Sequence, residues 1–315
     1  MRIAVIGAGA VGGAIAARLA GSGHSVAVTA RGEHLAAIRQ RGIRLRGGWG
    51  SVDARVEANE LLVEPPELAI IATKAQDAAA AMQANAPKLA GIPVLVVQNG
   101  LEGIATGRRE LPDSTISGGL AMFAASYLSP GEVTITAPGP TFIGGDGVAF
   151  VAEALKAIDV HVVDDFAGAQ WSKLVVNQVN ALPAITGLSA QETIADPDLR
   201  RLVTLSIRET IRVGLASGVR FASISGLSHG LLRAVLAAPL PLAELLPRLM
   251  ARRMGSVPNP GSTLQSIRRG QLSEIDYLNG AVVAAGKNVG VPTPVNARLV
   301  HLVHEVERTG DFTRP

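Results

Sequence analysis

The chain holds only five lysines, Lys74, Lys88, Lys156, Lys173 and Lys287, and one of them stands in the apolar run "WSKLVVNQVN" at 171–180. On a helix of about 100° per residue, Asn177 lies ~40° and Asn180 ~−20° from Lys173, so the three polar groups share one face. Leu174, Val175 and Val176 mostly turn away. A lysine desolvated by such neighbours has its pKa lowered toward the range where it gives and takes protons near neutrality. The asparagines can orient a substrate without adding charge. The segment alone supports equally well a lysine that snorkels at a helix end, with asparagines capping or bonding between helices.

A second group of residues is built for a phosphate. Gly7, Gly9 and Gly12 form G-x-G-x-x-G, the loop Gly7-Ala8-Gly9-Ala10-Val11-Gly12, directly after the apolar stretch "RIAVI" and at the start of an alanine-rich helix. The chemistry needs a tight turn, close backbone approach to a pyrophosphate, and a helix N-terminus facing it, which is dinucleotide binding. An acid for the ribose hydroxyls of NAD normally ends the next strand, but "VAVTARGEH" puts Arg31 there. A guanidinium suits a 2′-phosphate, so NADP is the expected cofactor, with a solvated loop arginine beside Glu33 as the alternative. Lys74, in "IATKA" at the carboxyl end of a later strand, could assist the same phosphate or be a surface lysine.

These residues need a scaffold, and the first half of the chain supplies an alternation of strands and helices in β-α-β order. "RIAVIG", "HSVAVTA", "PELAIIATK", "IPVLVVQNG" and "STISGGLAMFAA" read as strands, "IRLRGGWGSVDARVE" as a hairpin, and "GEVTITAPGPTFIGG" as an antiparallel continuation. After "DDFAGAQ" the pattern becomes helical, with long periodicities over 169–186, 197–217, 228–253 and 273–288. The expectation is an α/β Rossmann-type domain over 1–166, binding NADP, and an all-helical substrate and catalytic domain over 167–315.

Composition sets the limits. With 48% apolar and 17% charged residues the chain reads as globular, and no apolar stretch approaches a membrane span. The start lacks the pattern of a secretory leader, so the cytoplasm is the default expectation. Cysteine is absent, which removes disulfides and thiol chemistry. A formal net charge of +3 in scattered basic pairs, with 3% aromatics, argues against a nucleic-acid partner. "GLSHG" at 226–230 satisfies the nucleophile elbow of serine hydrolases, with Asp276 and His301 in the matching chain order, but its surroundings read as helical. His301, His304 and Glu305 have a spacing that could reach a metal, yet an amphipathic helix explains them as well, and no metal is expected.

Taken together, "GAGAVGG", "IATKA", "VQNG" at 97–100, "WSKLVVNQVNAL", "SVPNPGSTLQSIRRGQLSEIDYLNG" at 256–280 and "GVPTPVN" resemble the ketopantoate reductase (2-dehydropantoate 2-reductase) family over nearly the whole chain. The resemblance implies a 6-phosphogluconate-dehydrogenase-like pair of domains that uses NADPH to reduce a branched 2-oxo acid to pantoate, toward pantothenate and coenzyme A. The active site would lie in the cleft between domains. It implies that Lys173 is the general acid and that Glu274 helps hold the substrate hydroxyl and the cofactor ribose. Asn99 would touch cofactor and substrate, Asn177 and Asn180 would line the substrate pocket, Asn259 and Ser262 would bind the substrate carboxylate, and Ala125 would offer backbone contact to the cofactor. For Glu274 the residues alone favour another role, first-turn acid of a helix capped by Ser273.

The chain also departs from the family pattern. Asn180 stands seven residues after Lys173 where eight is usual, "GST" replaces Ser-Ser-Met, and Ser266 replaces an aspartate. These changes bear on the substrate more than on the reaction. Another 2-oxo acid is therefore one alternative, and a catalytically inactive NADP-binding sensor is another. A homodimer through the helical domain is compatible with its apolar surface.

Overall fold

Strand β1 (Arg2–Ile6) divides its side chains between two cores. Ile3 and Val5 join one buried cluster with Val26, Val28, Leu68, Ile70, Leu95 and Val97. Ala4 and Ile6 join another with Ala27, Ala69, Ile71, Val94 and Val96. Alternate residues of every central strand thus enter opposite clusters, the signature of a parallel sheet covered on both faces.

The computed structural model describes residues 1–255 and 257–314, so Ser256, the first residue of the 256–280 segment, and Pro315 lie outside the described residues. The chain divides into two compact units, Met1–Phe166 and Ala167–Pro315. In the first unit, β1 is followed by α1 (Ala10–Gly21), β2 (Ser25–Thr29), α2 (Gly32–Arg41), β3 (Ile43–Gly47), β4 (Val52–Ala54), β5 (Glu57–Asn59) and β6 (Leu68–Ile71). Then come α3 (Ala75–Leu89), β7 (Val94–Val97), α4 (Gly103–Glu110), β8 (Ile116–Ala121), β9 (Ala124–Ser129), β10 (Glu132–Ala137), β11 (Thr141–Gly145), α5 (Val148–Ala154) and β12 (Val160–Val162).

The main sheet has eight strands in the order β12-β11-β8-β7-β6-β1-β2-β5. Pairing is parallel from β5 through β8, and β11 runs antiparallel to β8. A second, four-stranded sheet, β4-β3-β10-β9, lies apart from it in pairing. Its Ile43, Leu45, Val133 and Ile135 share a buried cluster with Ala14, Ile15 and Leu19 of α1, so it covers that helix.

Two strand expectations change. "STISGGLAMFAA" is not one strand: the chain leaves the main sheet at Met122 and Phe123 and enters the second sheet as β9. "GEVTITAPGPTFIGG" is split as well, β10 pairing antiparallel with β9 and β11 with β8. The crossing is tight, since a Cβ on Gly139 would lie 2.7 Å from the carbonyl oxygen of Met122. The expected hairpin forms as β3 and β4, but β10 adds to it in parallel.

The second unit consists of α6 (Phe166–Asn177, its first residue belonging to the first unit), α7 (Ala181–Thr186), α8 (Ala190–Ala195), α9 (Pro197–Ala216), α10 (His229–Ala237), α11 (Leu240–Ala243), α12 (Leu245–Arg253), α13 (Gly261–Arg268), α14 (Asn279–Asn288) and α15 (Pro294–Thr309). Among the described residues its only β pairing is the isolated bridge between Ile224 and Leu227. The long α9 starts cleanly because Asp196 accepts from the backbone of Asp198 and Leu199 at 2.9 and 3.1 Å, with Pro197 at the first helical position.

Three expected helices are interrupted. The 169–186 periodicity breaks into α6, a 3₁₀ turn over Gln178–Asn180, and α7. Pro183 lacks the N–H that would bond the carbonyl of Val179, which accounts for the tighter turn before it. Pro239 and Pro241 divide 228–253 in the same way. The 273–288 segment opens instead as a 3₁₀ turn over Ile275–Tyr277, and α14 begins only at Asn279.

Candidate active site

The glycine loop is dictated by contacts that leave no room for side chains. Gly7 has φ +97°, and a Cβ there would stand 2.8 Å from the backbone nitrogen of Thr73. On Gly12 a Cβ would meet the Gly7 carbonyl oxygen at 2.0 Å, whereas on Gly9 it would meet nothing within 4 Å. Gly9 therefore faces open space at the N-terminus of the 12-residue α1. Thr29 braces the loop from β2, its hydroxyl accepting from Gly7 N and its carbonyl from Ala8 N, each at 3.0 Å. A helix start with unsatisfied N–H groups beside a bare glycine surface fits a pyrophosphate.

The neighbouring strand ends add polar groups. Arg31 follows β2 as the exposed N-cap of α2, Lys74 is the N-cap of α3 after β6, and Asn99 follows β7. All sit past the carboxyl ends of parallel strands. Strand β1 lies between β2 and β6 in the sheet, so the chain winds away on both sides of it, the topological switch point where such sheets bind ligands. Gln98 links two of these loops through its amide, which donates to Thr73 O at 3.0 Å. Ala125 belongs instead to β9 of the second sheet, opposite Ile135.

In the second unit, Lys173 is only 8% exposed. Burial brings its pKa down from 10.5 to about 8, although the Glu274 carboxylate pulls it back up. One turn later Asn177 is also buried, and its Nδ2 has no hydrogen-bond partner among the described residues. A buried orphan donor is rare in a folded chain and suits a ligand acceptor. The helix carrying both is pinned from behind: Ser172 Oγ reaches Gly168 O at 3.0 Å and Ala222 O at 2.8 Å.

Asn180 falls in the 3₁₀ turn and not on a continuous α-helix. Its Oδ1 would be 2.7 Å from a Cβ on Gly261, so it is seated against the backbone that starts α13. Asn259 is held there too, with its N–H donating to Gln191 Oε1 and its Oδ1 accepting from Gly261 N, both at 2.9 Å. Ser262 is exposed in the first turn of α13. Glu274 does not begin a helix of ordinary length. It precedes the 3₁₀ turn, where Ser273 Oγ accepts from Ile275 N at 3.2 Å. Helix α15 straps this turn: Glu307 accepts from Ser273 N at 2.7 Å, and His304 lies 2.8 Å from Glu307 and 2.9 Å from Asp276. Burial opposes charge on His304, but bonds to the two carboxylates outweigh it and raise its pKa.

Sequence patterns gave no hint of the network beneath Asn177. Gln178 accepts from Ser206 Oγ at 2.7 Å and from Asn279 Nδ2 at 2.8 Å, and Asn279 also donates to Asn296 Oδ1 at 2.9 Å. Glu209 accepts from the N–H groups of Val295 and Asn296 at 2.9 Å and from Asn296 Nδ2 at 2.7 Å. Three helices, α9, α14 and α15, and the 3₁₀ turn meet at these polar side chains, which lie far apart in sequence. Only "PVN", within "GVPTPVN", and "LNG", within "SEIDYLNG", could have pointed to Asn296 and Asn279.

The competing motifs take structural roles. Ser228 caps α10, its Oγ accepting from Leu231 N at 3.2 Å, and the residues before it form a bridge and not a strand. Among the described residues no cluster of histidine and acidic groups could hold a metal, and no helix is long and apolar enough to cross a membrane.

A glycine loop at the switch point of a parallel sheet, in a chain that continues into a helical unit with a buried lysine of lowered pKa, defines the class of NAD(P)-dependent oxidoreductases. Residues 3–146 match the family described as ketopantoate reductase PanE/ApbA, and residues 165–307 match its C-terminal domain. The chain is 27% identical over 313 residues to the 2-dehydropantoate 2-reductase of Pyrococcus abyssi, covering 96% of this chain and 97% of that protein. It is 28% identical over 325 residues to the one of Halobacterium salinarum, covering 98% and 100%. A PanE/ApbA family ketopantoate reductase of Ralstonia eutropha superposes with a TM-score of 0.84 at 31% identity, over 98% of this chain and 99% of that one. D-mandelate dehydrogenase with NADH and anilino(oxo)acetate shares the fold, with a TM-score of 0.82 at 22% identity over 98% and 99% of the two chains. The chain belongs to the PanE/ApbA ketopantoate reductase family.

Proposed function

We propose that the protein reduces ketopantoate to pantoate with NADPH, with Lys173 as proton donor. The observation that carries this reading is the pairing, one helical turn apart, of a buried lysine with pKa lowered to about 8 and an asparagine amide left without a partner. When bound, the reduced nicotinamide supplies a hydride to the carbonyl carbon. The charge that then builds on oxygen is met by the Lys173 ammonium, which stabilises it and transfers a proton. The Asn177 amide is placed to donate to the same substrate.

Glu274 keeps Lys173 charged near neutrality and accepts the substrate hydroxyl or the cofactor ribose. Asn180, Asn259 and Ser262 gather at the start of α13, a suitable place for a carboxylate. On the nucleotide side Gly7 to Gly12 hold the pyrophosphate, Asn99 touches the nicotinamide half, and Arg31 and Lys74 meet the 2′-phosphate. Under this reading residues 1–166 form the NADP-binding domain and 167–315 the catalytic one. A second reading, reduction of a different 2-oxo acid, draws on Gly261-Ser262-Thr263, where the usual side chains are replaced beside Asn180.

The deciding experiment follows loss of NADPH absorbance on addition of ketopantoate, beside a panel of other 2-oxo acids and Lys173→Ala. Oxidation with ketopantoate that disappears in the variant while NADPH still binds supports the proposal. Turnover of another panel member alone moves the assignment to that substrate, and silence with every acid supports a nucleotide sensor.

A further inference from the structure

The glycine loop is gripped by a histidine that the reaction does not use. His34 of α2 places Nε2 2.6 Å from the carbonyl oxygen of Ala8, and its Nδ1 accepts from Gly131 N at 3.0 Å. A backbone carbonyl only accepts and a backbone N–H only donates, so the two contacts assign the ring: hydrogen on Nε2, a lone pair on Nδ1. Tyr127 packs against the ring edge-on, with centroids 4.9 Å apart. The Ala8 N–H in turn donates to Thr29 O, so the peptides on both sides of Ala8 are each held by a hydrogen bond.

The charged groups near the imidazole are exposed or bonded to other partners. On its own helix Arg41 donates to Pro130 O, and Arg31 and Glu33 are exposed. Across from it Glu132 of β10 pairs with Arg44 of β3 at 3.2 Å and accepts from Ser129 Oγ at 2.9 Å. Among the described residues none of them hydrogen-bonds the ring.

We infer that His34 is a positioning residue: its neutral imidazole ties the Ala8 carbonyl to the turn between β9 and β10, fixes the nucleotide-binding loop, and makes nucleotide affinity fall on acidification. This rests on the cofactor reading given above. Protonation would put a hydrogen on Nδ1 facing the Gly131 N–H, two donors head-on, and that bond would be lost. Burial lowers the His34 pKa below its ordinary 6.5, with the Ala8 contact opposing in part, so the neutral ring is the one present at pH 7. The sign follows: the clamp is intact above 6.5 and is lost as pH falls through the lower folded-state value.

The test measures NADPH binding to the full-length protein from about pH 7.5 to about pH 5.5 for the wild type, His34→Gln and His34→Asn. A glutamine amide can reach Ala8 O as Nε2 does, and an asparagine carbonyl can reach Gly131 N as Nδ1 does, but neither residue titrates. At the upper pH the glutamine variant should bind within about twofold of wild type and the asparagine variant about three- to tenfold more weakly, the span of one hydrogen bond. Toward the lower pH the wild type should lose about three- to tenfold more affinity than the glutamine variant. The 2′-phosphate of NADPH titrates in both and cancels in that comparison. Superimposed pH profiles for wild type and His34→Gln overturn the inference, as does wild-type binding that tightens in acid. If His34→Asn does not fold, the comparison of wild type with glutamine decides alone. A wild type that binds neither NADPH nor NADH at the upper pH overturns the cofactor reading and the inference with it; binding with no His34 dependence overturns only the inference.

Discussion

A methyl group on Gly12 would stand 2.0 Å from the carbonyl oxygen of Gly7, while one on Gly9 would touch nothing within 4 Å. The fold of the loop therefore requires a glycine at Gly12 and leaves room for a side chain at Gly9. Gly12→Ala must displace the start of α1 from β1 and should lower the melting temperature by several degrees, a cost of about 1–3 kcal/mol. Gly9→Ala should melt like the wild type yet bind NADPH at least about tenfold more weakly, because the methyl group occupies the space a pyrophosphate needs. Thermal melting and fluorescence titration of both variants check the contrast.

Lys173 should give two pH signatures. The proton-donor role proposed for it requires the charged form, so the turnover number for ketone reduction should decline above pH about 8. Lys173→Ala should lose about 10²–10⁴ in turnover with NADPH affinity kept. The same lowered pKa makes the lysine costly to the folded state. The unfolded chain binds more protons between about 8 and 10.5, so the penalty is full below about 8 and is relieved as pH rises toward 10.5. Lys173→Met should therefore be more stable at pH 7 by roughly 3 kcal/mol at most, with the gain shrinking in alkali. Denaturant midpoints at two pH values measure it.

Arg31 is exposed at the end of β2, where a ribose-binding acid would mark an NAD enzyme. Arg31→Ala should weaken NADPH binding by about tenfold and leave NADH nearly unchanged, since an exposed charged contact contributes about 1–1.5 kcal/mol. The ratio of the two dissociation constants, and its decline with added salt, is the readout.

Glu209 is 5% exposed and accepts three hydrogen bonds from the start of α15. Glu209→Ala strands those donors and should destabilise the protein by about 3 kcal/mol. The network also holds Gln178, next to Asn177, so the Michaelis constant for substrate should rise even where the variant is fully folded. Equilibrium unfolding and steady-state kinetics at low temperature separate the two effects.

The sequence by itself determined the parts of this protein whose information is local. The loop from Gly7 to Gly12 is readable because its glycines, the apolar strand before it and the alanine-rich helix after it are contiguous, and the structure places them as that pattern requires. The same holds for a strand-and-helix first half followed by a largely helical second one. The polar face of Lys173 and Asn177 was legible from helical periodicity, which fails at Asn180 because Pro183 tightens the turn before it. What only the tertiary structure decided rests on pairing between distant segments. β3 and β10, 88 residues apart from Arg44 to Glu132, join in a second sheet, and Ala125 goes with them. Glu274 sits just before a 3₁₀ turn, next to Ser273 held by Glu307, although its neighbours in sequence read as a helix start. His34 reaches Ala8 and Gly131, and Glu209 reaches Asn296, across stretches that no window of local pattern spans. A side chain's hydrogen-bond partner is set by where the backbone brings two segments together, and composition and periodicity carry no record of that meeting.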